Sequence, residues 1–390
     1  MKKIIAVFVS LALAATAVAD VDIEAAIAKG AEFLLANQHE EGYWSDKQMP
    51  ALTALPVWAL SQMKNEECRM KNVECRMKNE ECRIKNVECG MKSEECGEPS
   101  HHSTFYILHS ALDKGVAFVL STQREDGGFY VPKPGRGGSG LGNYNTSVCL
   151  SALYVSGKAP TAALLKAREY IASSQLTGDD TMAGGFGYDK LSRRRYADLS
   201  NTSYALDAMK RTAALEELRP GGKRVDVDWE KALAFVENLV KTQGEDAGGA
   251  AYNERTPQGG TQTNAAGRVA LRAYGSMTYA AVLSMCHANL DRGDPRVRQS
   301  LEYCRNFWSL DENPGMGNQG LYYFYDILAR ALSAAKVEKV GDHDWKRELS
   351  ETIISLQRPD GSWCNENNRF WEGDPVLCTS FAILALELCR

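Results

Sequence analysis

Apolar residues along this chain return at helical spacing in a series of short runs, most of them separated by glycine-containing turns. In the last stretch Leu349, Ile353, Ile354 and Leu356 fall on one helix face, and the run ends at Gln357. Asp360-Gly361 then marks a tight turn, because glycine accepts the positive φ that other residues resist, and the turn delivers Trp363. After a polar loop, Thr379-Ser380-Phe381-Ala382-Ile383-Leu384-Ala385-Leu386 puts small residues on one face and bulky ones on the other. That is the pattern of a helix packed on two sides. The unit is therefore helix, Gln-x-x-Asp-Gly-x-Trp turn, loop, helix.

The unit recurs through the chain. Gln38, Gln123, Gln175, Gln243 and Gln357 each close a helical run. They are followed by Gly42-Tyr43-Trp44, Asp126-Gly127-Gly128-Phe129, Gly184-Gly185-Phe186-Gly187, Gly248-Gly249 and Asp360-Gly361-Ser362-Trp363. The second helices share a register too: Thr53, Thr146, Thr202, Thr278 and Thr379 each stand seven residues before Leu60, Leu153, Met209, Met285 and Leu386. A sixth, degenerate copy has Tyr325 in the threonine place and Leu332 seven on, inside a Gln243-to-Gln357 interval of 114 residues that holds two units. Six helical hairpins that each expose an apolar face must stack to bury it, as a closed ring or an open solenoid. The Gln-to-Thr loops vary from 15 residues (38 to 53) to 35 (243 to 278), and variable loops collect where a site is usually built.

The Gln…Asp-Gly-x-Trp units followed by Thr-Ser-x-Ala-x-x-Ala-Leu helices resemble the prenyltransferase and squalene-oxidase repeat of squalene–hopene cyclases and protein-prenyltransferase β subunits. The resemblance covers nearly all of the chain after residue 19. It implies an all-α fold, a closed (α/α)6 toroid in which the threonine-register helices form an inner ring around an apolar cavity.

Two segments fall outside the repeat. Lys2-Lys3, the apolar stretch Ile4 to Ala15 and Ala17-Val18-Ala19 form a signal peptide with an A-x-A cleavage site, too short to span a bilayer. The expectation is an exported protein, periplasmic or extracellular, beginning near Asp20. From 64 to 98 the heptapeptides MKNEECR, MKNVECR, MKNEECR, IKNVECG and MKSEECG follow one another. Removing these 35 residues brings the first Gln-to-Gln interval from 85 to 50, close to the 52 of the next, so the segment is an insertion and not a repeat unit. Its cysteines recur every seven residues, about 10 Å apart along a helix and too far to share one metal ion.

Composition narrows the function. A net charge of −5 without a basic cluster argues against nucleic acid; Arg193-Arg194-Arg195 is the one basic run. Cys149, Cys286, Cys304, Cys364, Cys378 and Cys389 lie mostly in apolar runs and read as buried thiols, although Cys364 and Cys378 flank one loop and are a conceivable pair in an exported chain. No histidine or cysteine spacing forms a metal motif, and no cofactor is expected.

The resemblance also points to where chemistry would sit. Squalene–hopene cyclases carry Asp-x-Asp-Asp-Thr-Ala at the start of an inner helix, and its middle Asp protonates the polyene. A carboxylic acid does this only if neighbours and a dry cavity keep it protonated. Aligned on Thr202, this chain reads Asp198-Leu199-Ser200-Asn201-Thr202-Ser203, with the middle acid replaced by Ser200 and the third by Asn201. Asp179-Asp180-Thr181 looks similar but precedes the turn, and reads as a loop. The cyclases have two barrels, and this chain has material for one. The prenyltransferase zinc site needs Asp, Cys and His; Asp374 to Thr379 offers Cys378 but no histidine.

A polar set remains at the inner-helix starts: Asn145, Asp198, Asn201, Tyr325, Asp326 and Asp374. Asp198 and Asp374 are the catalytic candidates, and Asn145, Asn201, Tyr325 and Asp326 the ligand-binding ones; helix capping competes for each such position. Tyr322-Tyr323-Phe324-Tyr325 cannot all face one side: most read as packing between helices, and some as lining the central hole. Three functions follow: an enzyme on an isoprenoid or other apolar lipid, a non-catalytic lipid carrier or interaction scaffold, and a carbohydrate-active toroid. The last would set two carboxylates about 5–10 Å apart across a sugar, with Asp198 and Asp374 as the pair. The sequence names no protein partner.

Overall fold

A computed structural model describes residues 22–63, 100–132, 140–192, 195–263, 267 and 269–390. Residues 1–19, expected to act as a signal peptide, and the 64–98 segment lie outside the described residues. Among the described residues twelve α-helices alternate between an outer and an inner layer. The outer helices are α1 (Ile23–Ala36), α3 (Ser100–Ser121), α5 (Thr161–Ser174), α7 (Trp229–Leu239), α9 (Pro295–Asn306) and α11 (Trp345–Ser355). The inner ones are α2 (50–63), α4 (Gly142–Ser156), α6 (Leu199–Arg211), α8 (Gly275–His287), α10 (Leu321–Ala334) and α12 (Pro375–Cys389). The architecture is the all-α (α/α)6 toroid.

Local chemistry starts the helices where the sequence places polar residues before apolar runs. Asp22, Asp198, Asp228, Asp294, Asp344 and Asp374 each accept a first-turn backbone N–H, and Pro295 and Pro375 follow their caps. Inner helices such as α8 and α12 are buried almost throughout, whereas α9 buries only Val297, Ser300, Tyr303 and Cys304. Burial on two sides is what leaves the inner helices without a polar face.

The threonines hold each hairpin together. Their Oγ1 atoms accept the turn's backbone N–H: Trp44 to Thr53, Phe129 to Thr146, Phe186 to Thr202, Ala250 to Thr278 and Trp363 to Thr379, at 2.9–3.1 Å. The glutamines join one hairpin to the next. Gln38, Gln123 and Gln175 donate from Nε2 to a carbonyl of their own turn and to Ala111, Ala163 and Asp228 of the following unit. The positive-φ turn glycines press on that unit as well: a Cβ on Gly184 (φ +86°) would lie 2.0 Å from the Lys231 carbonyl oxygen.

The ring closes. α1 packs on α11 and α12, and Gly30 of α1 admits Trp363 and Ile383 of the last hairpin where a Cβ would come within 2.8 Å of the indole.

Two parts of the repeat differ from expectation. Gln243 is exposed and does not close the fourth run; α7 ends at Leu239, and Val240 bridges Ala250 as Gln123 bridges Phe129. A neighbouring glutamine in a polar stretch misled the alignment by three residues. In the degenerate copy Tyr325 does not take up the threonine's bond but donates its hydroxyl to the Leu310 carbonyl at 2.6 Å. A short antiparallel pair, β1 (Thr261–Thr263) with β2 (Val269–Leu271), sits in the long loop before α8.

Candidate functional site: an aromatic cavity inside the inner ring

Inside the ring, at the N-terminal ends of the inner helices, lies a cavity of about 420 Å³. Tyr144, Ser200, Ser276, Tyr323 and Leu377 line it, each two residues before its register threonine or Tyr325. One helical register thus turns five helices' side chains into a common space, and Leu52 of α2 with Met49 just before that helix completes the wall. The lining is mostly apolar and aromatic. Tyr144 meets Tyr204 edge-on at 5.3 Å, Tyr204 stacks on Tyr323 at 5.9 Å, and Tyr323 tilts on Phe381 at 6.1 Å. On the loop side Tyr188 and Tyr252 share a hydroxyl–hydroxyl bond of 2.8 Å.

Phe370 and Trp371 also line the cavity, yet they are 46% and 53% exposed and so stand at its rim. Both adopt positive φ (59° and 69°), a strained conformation for aromatic residues. Glu372 beneath them is fully buried and spans to another helix, accepting the Tyr323 N–H (2.8 Å) at the start of α10 and Asn365 Nδ2 (2.7 Å). It takes the place of a side-chain cap that Gly320 cannot supply. Burial raises its pKa, and the hydrogen bonds to α10 and Asn365 oppose the rise.

Asp198 is fully buried and caps α6, accepting Asn201 N–H at 2.8 Å and Asn201 Nδ2 at 2.7 Å. Desolvation pushes its carboxyl up to about 6, held back by Asn201 and by the Tyr252 and Tyr196 hydroxyls. It stands behind the cavity wall, whereas Ser200 faces the cavity with its Oγ 3.3 Å from the Tyr323 hydroxyl. The place that the cyclase motif gives to its proton donor is therefore a serine at the cavity surface. The neighbouring Arg195 pairs with Asp180 at 2.7 Å, which ties Asp179-Asp180-Thr181 into a loop and away from Asp198.

The other sequence candidates divide. Asp374 caps α12 through the Val376 N–H (2.9 Å) and is not part of the lining; among the described lining residues Glu372 is the one carboxylate. Asn145 ties α4 to α2 by accepting the Ala51 N–H at 3.3 Å, and Asn201 serves Asp198. Tyr325 packs in the wall, and Asp326 pairs with Arg330 at 2.9 Å, deeper in the ring. Cys364 and Cys378 are free, as are the other four described cysteines. Among the described residues no group of three His, Cys, Asp or Glu is placed to hold a metal ion.

No family model matches the sequence, and no curated protein matches it. Solved structures do match in fold. The type II terpene cyclase MstE from Scytonema superposes with a TM-score of 0.52 at 13% identity, over 94% of this chain and 97% of that one. This chain shares its fold with that terpene cyclase. An Asp-to-Ala variant of the same enzyme in complex with its product, merosterolic acid A, gives 0.52 at 12% over 94% and 96%. A protein from Actinoplanes gives 0.51 at 14% over 94% and 98%. The match spans nearly the whole of both chains, so the MstE chain is of about this chain's size.

Sequence reasoning reached Tyr323 within its aromatic run but missed Tyr144, Tyr188, Tyr204, Tyr252 and the Phe370-Trp371-Glu372 triplet. The signal for Tyr144 was present, since it occupies the same register place as Tyr323 and Ser200. Tyr188, Tyr252 and Glu372 come from loops, for which the repeat provides no register.

Proposed function

We propose that this protein binds an isoprenoid or similarly apolar lipid in its central cavity. One observation carries the reading: six inner helices wall a space of about 420 Å³ with tyrosine, phenylalanine, methionine and leucine side chains. Such a surface offers an extended apolar chain burial and its double bonds aromatic faces. The terpene-cyclase fold supports it, since a neighbour with this fold is described with a terpenoid product bound. The carbohydrate reading finds less support, because neither Asp198 nor Asp374 belongs to the cavity lining.

A catalytic version of the reading has one feature in its favour. Asp198, raised to about 6, interacts with the Tyr252 hydroxyl, which bonds Tyr188 at the cavity surface. A proton can pass along such hydroxyls, whereas Asp198 itself does not reach the space. Asp374, the other candidate, lacks a comparable path.

The test is incubation of detergent-dispersed geranylgeraniol with the purified chain, followed by native mass spectrometry and analysis of the extracted lipid. A stoichiometric complex with unchanged lipid supports the carrier form, and an isomer of equal mass with new rings supports the cyclase form. A complex with a xylo-oligosaccharide and none with the lipid would overturn both. We further propose that the protein is exported, on the strength of Lys2-Lys3 and Ala17-Val18-Ala19; Edman sequencing of secreted material starting near Asp20 would bear this out.

A further inference from the structure

Beneath the cavity the ring holds a cluster of polar side chains that the site above does not use. On α6 Asp207 and Arg211 follow the cavity residue Tyr204 by three and seven positions, and on α10 Asp326 and Arg330 follow Tyr323 by the same steps. At about 1.5 Å of rise per residue, the four groups lie one to two turns deeper than the cavity. Arg330 bonds Asp207 (3.1 Å) and Asp326 (2.9 Å), Arg211 bonds Asp207 (3.2 Å), and His287 of α8 reaches Asp207 at 3.0 Å. Trp58 of α2 lies under both guanidinium groups, at 4.8 Å from Arg211 and 5.5 Å from Arg330.

The cluster is balanced in charge but not in hydrogen bonds. Two carboxylates face two guanidinium groups, so a further full charge would be buried without a counter-ion. Yet several polar atoms here have no hydrogen-bond partner among the described residues: Tyr204 Oη, Arg330 Nε, Trp58 Nε1 and Asp326 Oδ1. Their residues are between 1% and 8% exposed, and a buried polar group left unpaired is costly. Tyr204 joins the two regions, since it lines the cavity and carries the Arg330 guanidinium 5.4 Å from its ring centre. The set offers both donors and acceptors, and Tyr204 is the member that also lines the apolar space above it.

We propose that this floor receives the uncharged oxygen of an amphipathic ligand, an alcohol or ketone at the end of an isoprenoid chain. The inference rests on the cavity reading above and deepens it. A hydrocarbon leaves the unpaired atoms unsatisfied, and a diphosphate or carboxylate brings a charge that the balanced cluster does not need. A hydroxyl both donates and accepts, which suits a place where the unpaired Tyr204 hydroxyl belongs to a ring beside Arg330, itself paired with Asp326.

The experiment compares geranylgeraniol, the matching C20 hydrocarbon and geranylgeranyl diphosphate as ligands of the full chain, read as dissociation constants from tryptophan fluorescence. The parent should prefer the alcohol to the hydrocarbon by about tenfold, the scale of one added hydrogen bond. Tyr204→Phe removes only a hydroxyl that lacks a partner, so it should fold as the parent does. With the hydrocarbon constant of the same variant as the reference, the preference for the alcohol should fall to within about twofold. Equal binding of alcohol and hydrocarbon by the parent, or an undiminished preference in Tyr204→Phe, would overturn the inference and leave the cavity reading standing; the floor would then hold water. Tightest binding of the diphosphate would overturn the neutral assignment. Binding of none of the three would overturn the cavity reading and this inference with it.

Discussion

Gln357 donates from Nε2 to the carbonyl of Ala26, 331 residues earlier, at 2.8 Å, and to its own turn at Gly361 at 3.0 Å. Gln38, Gln123 and Gln175 make the same pair of bonds to their following units. The last hairpin thus treats the first as its successor, which is what distinguishes a ring from a solenoid with two ends. Gln357→Ala should lower stability by about 1–3 kcal/mol, because two carbonyl partners lose their donor. Urea unfolding checks this, and Gln243→Ala is the control: an exposed side chain outside the register should leave the midpoint within error.

The titration of Asp198 should be visible in stability. Its ordinary pKa is 3.8, and burial raises it to about 6, so the folded state holds the proton more tightly than the unfolded one. The stabilising contribution is complete below about pH 4 and is lost as pH rises through 6. Asp198→Asn keeps a capping oxygen and cannot ionise. Relative to that variant the parent should lose roughly 3 kcal/mol between pH 4 and pH 7.5. Parallel denaturation curves at the two pH values measure it, and an unchanging difference would show that Asp198 is not driven up by its surroundings.

Trp371 stands at the cavity rim with a φ of 69°. Trp371→Gly should relieve that strain, leaving stability unchanged or raised by up to about 1 kcal/mol. It should also weaken lipid binding severalfold, since the indole covers the mouth. Stability and affinity moving in opposite directions would mark the strained pair as a binding feature. A variant that loses both would show Trp371 to be structural.

Removal of residues 64–98 should leave the toroid intact. Helix α2 is described as far as residue 63 and α3 from Ser100, and the repeat spacing without the 35 residues, 50, matches the 52 of the next interval. Thermal unfolding within a few degrees of the parent is expected, and a loss of many degrees would mean that the segment packs on the barrel.

Much of this fold was legible in the sequence because the repeat is written in residues with structural work to do. Thr53, Thr146, Thr202, Thr278 and Thr379 each accept one turn amide, and Gly42, Gly127, Gly184, Gly248 and Gly361 each allow a positive-φ contact with the next unit. Ring closure was not legible in the period, which does not say where it stops; the family resemblance implied it. The site was legible only in part. Asp198 and Asp374 stood out as acids at helix starts, and both are caps. The residues that shape the cavity are tyrosines that the repeat pattern does not single out and a loop triplet that no periodicity marks. Asp207 and Arg330 were hidden for another reason: they lie on different helices and meet only when the ring is assembled.

The most direct test of the central claim is to locate a bound isoprenoid on the chain. A geranylgeranyl alcohol carrying a terminal diazirine can be photolysed with the protein and the labelled peptides mapped by mass spectrometry. The account predicts labels on the inner-helix starts, at Tyr144, Met277, Tyr323 and Phe381, and their suppression by excess unlabelled geranylgeraniol. Labels confined to the outer groove around Arg298 and Arg305, or labels that competitor does not displace, would contradict it.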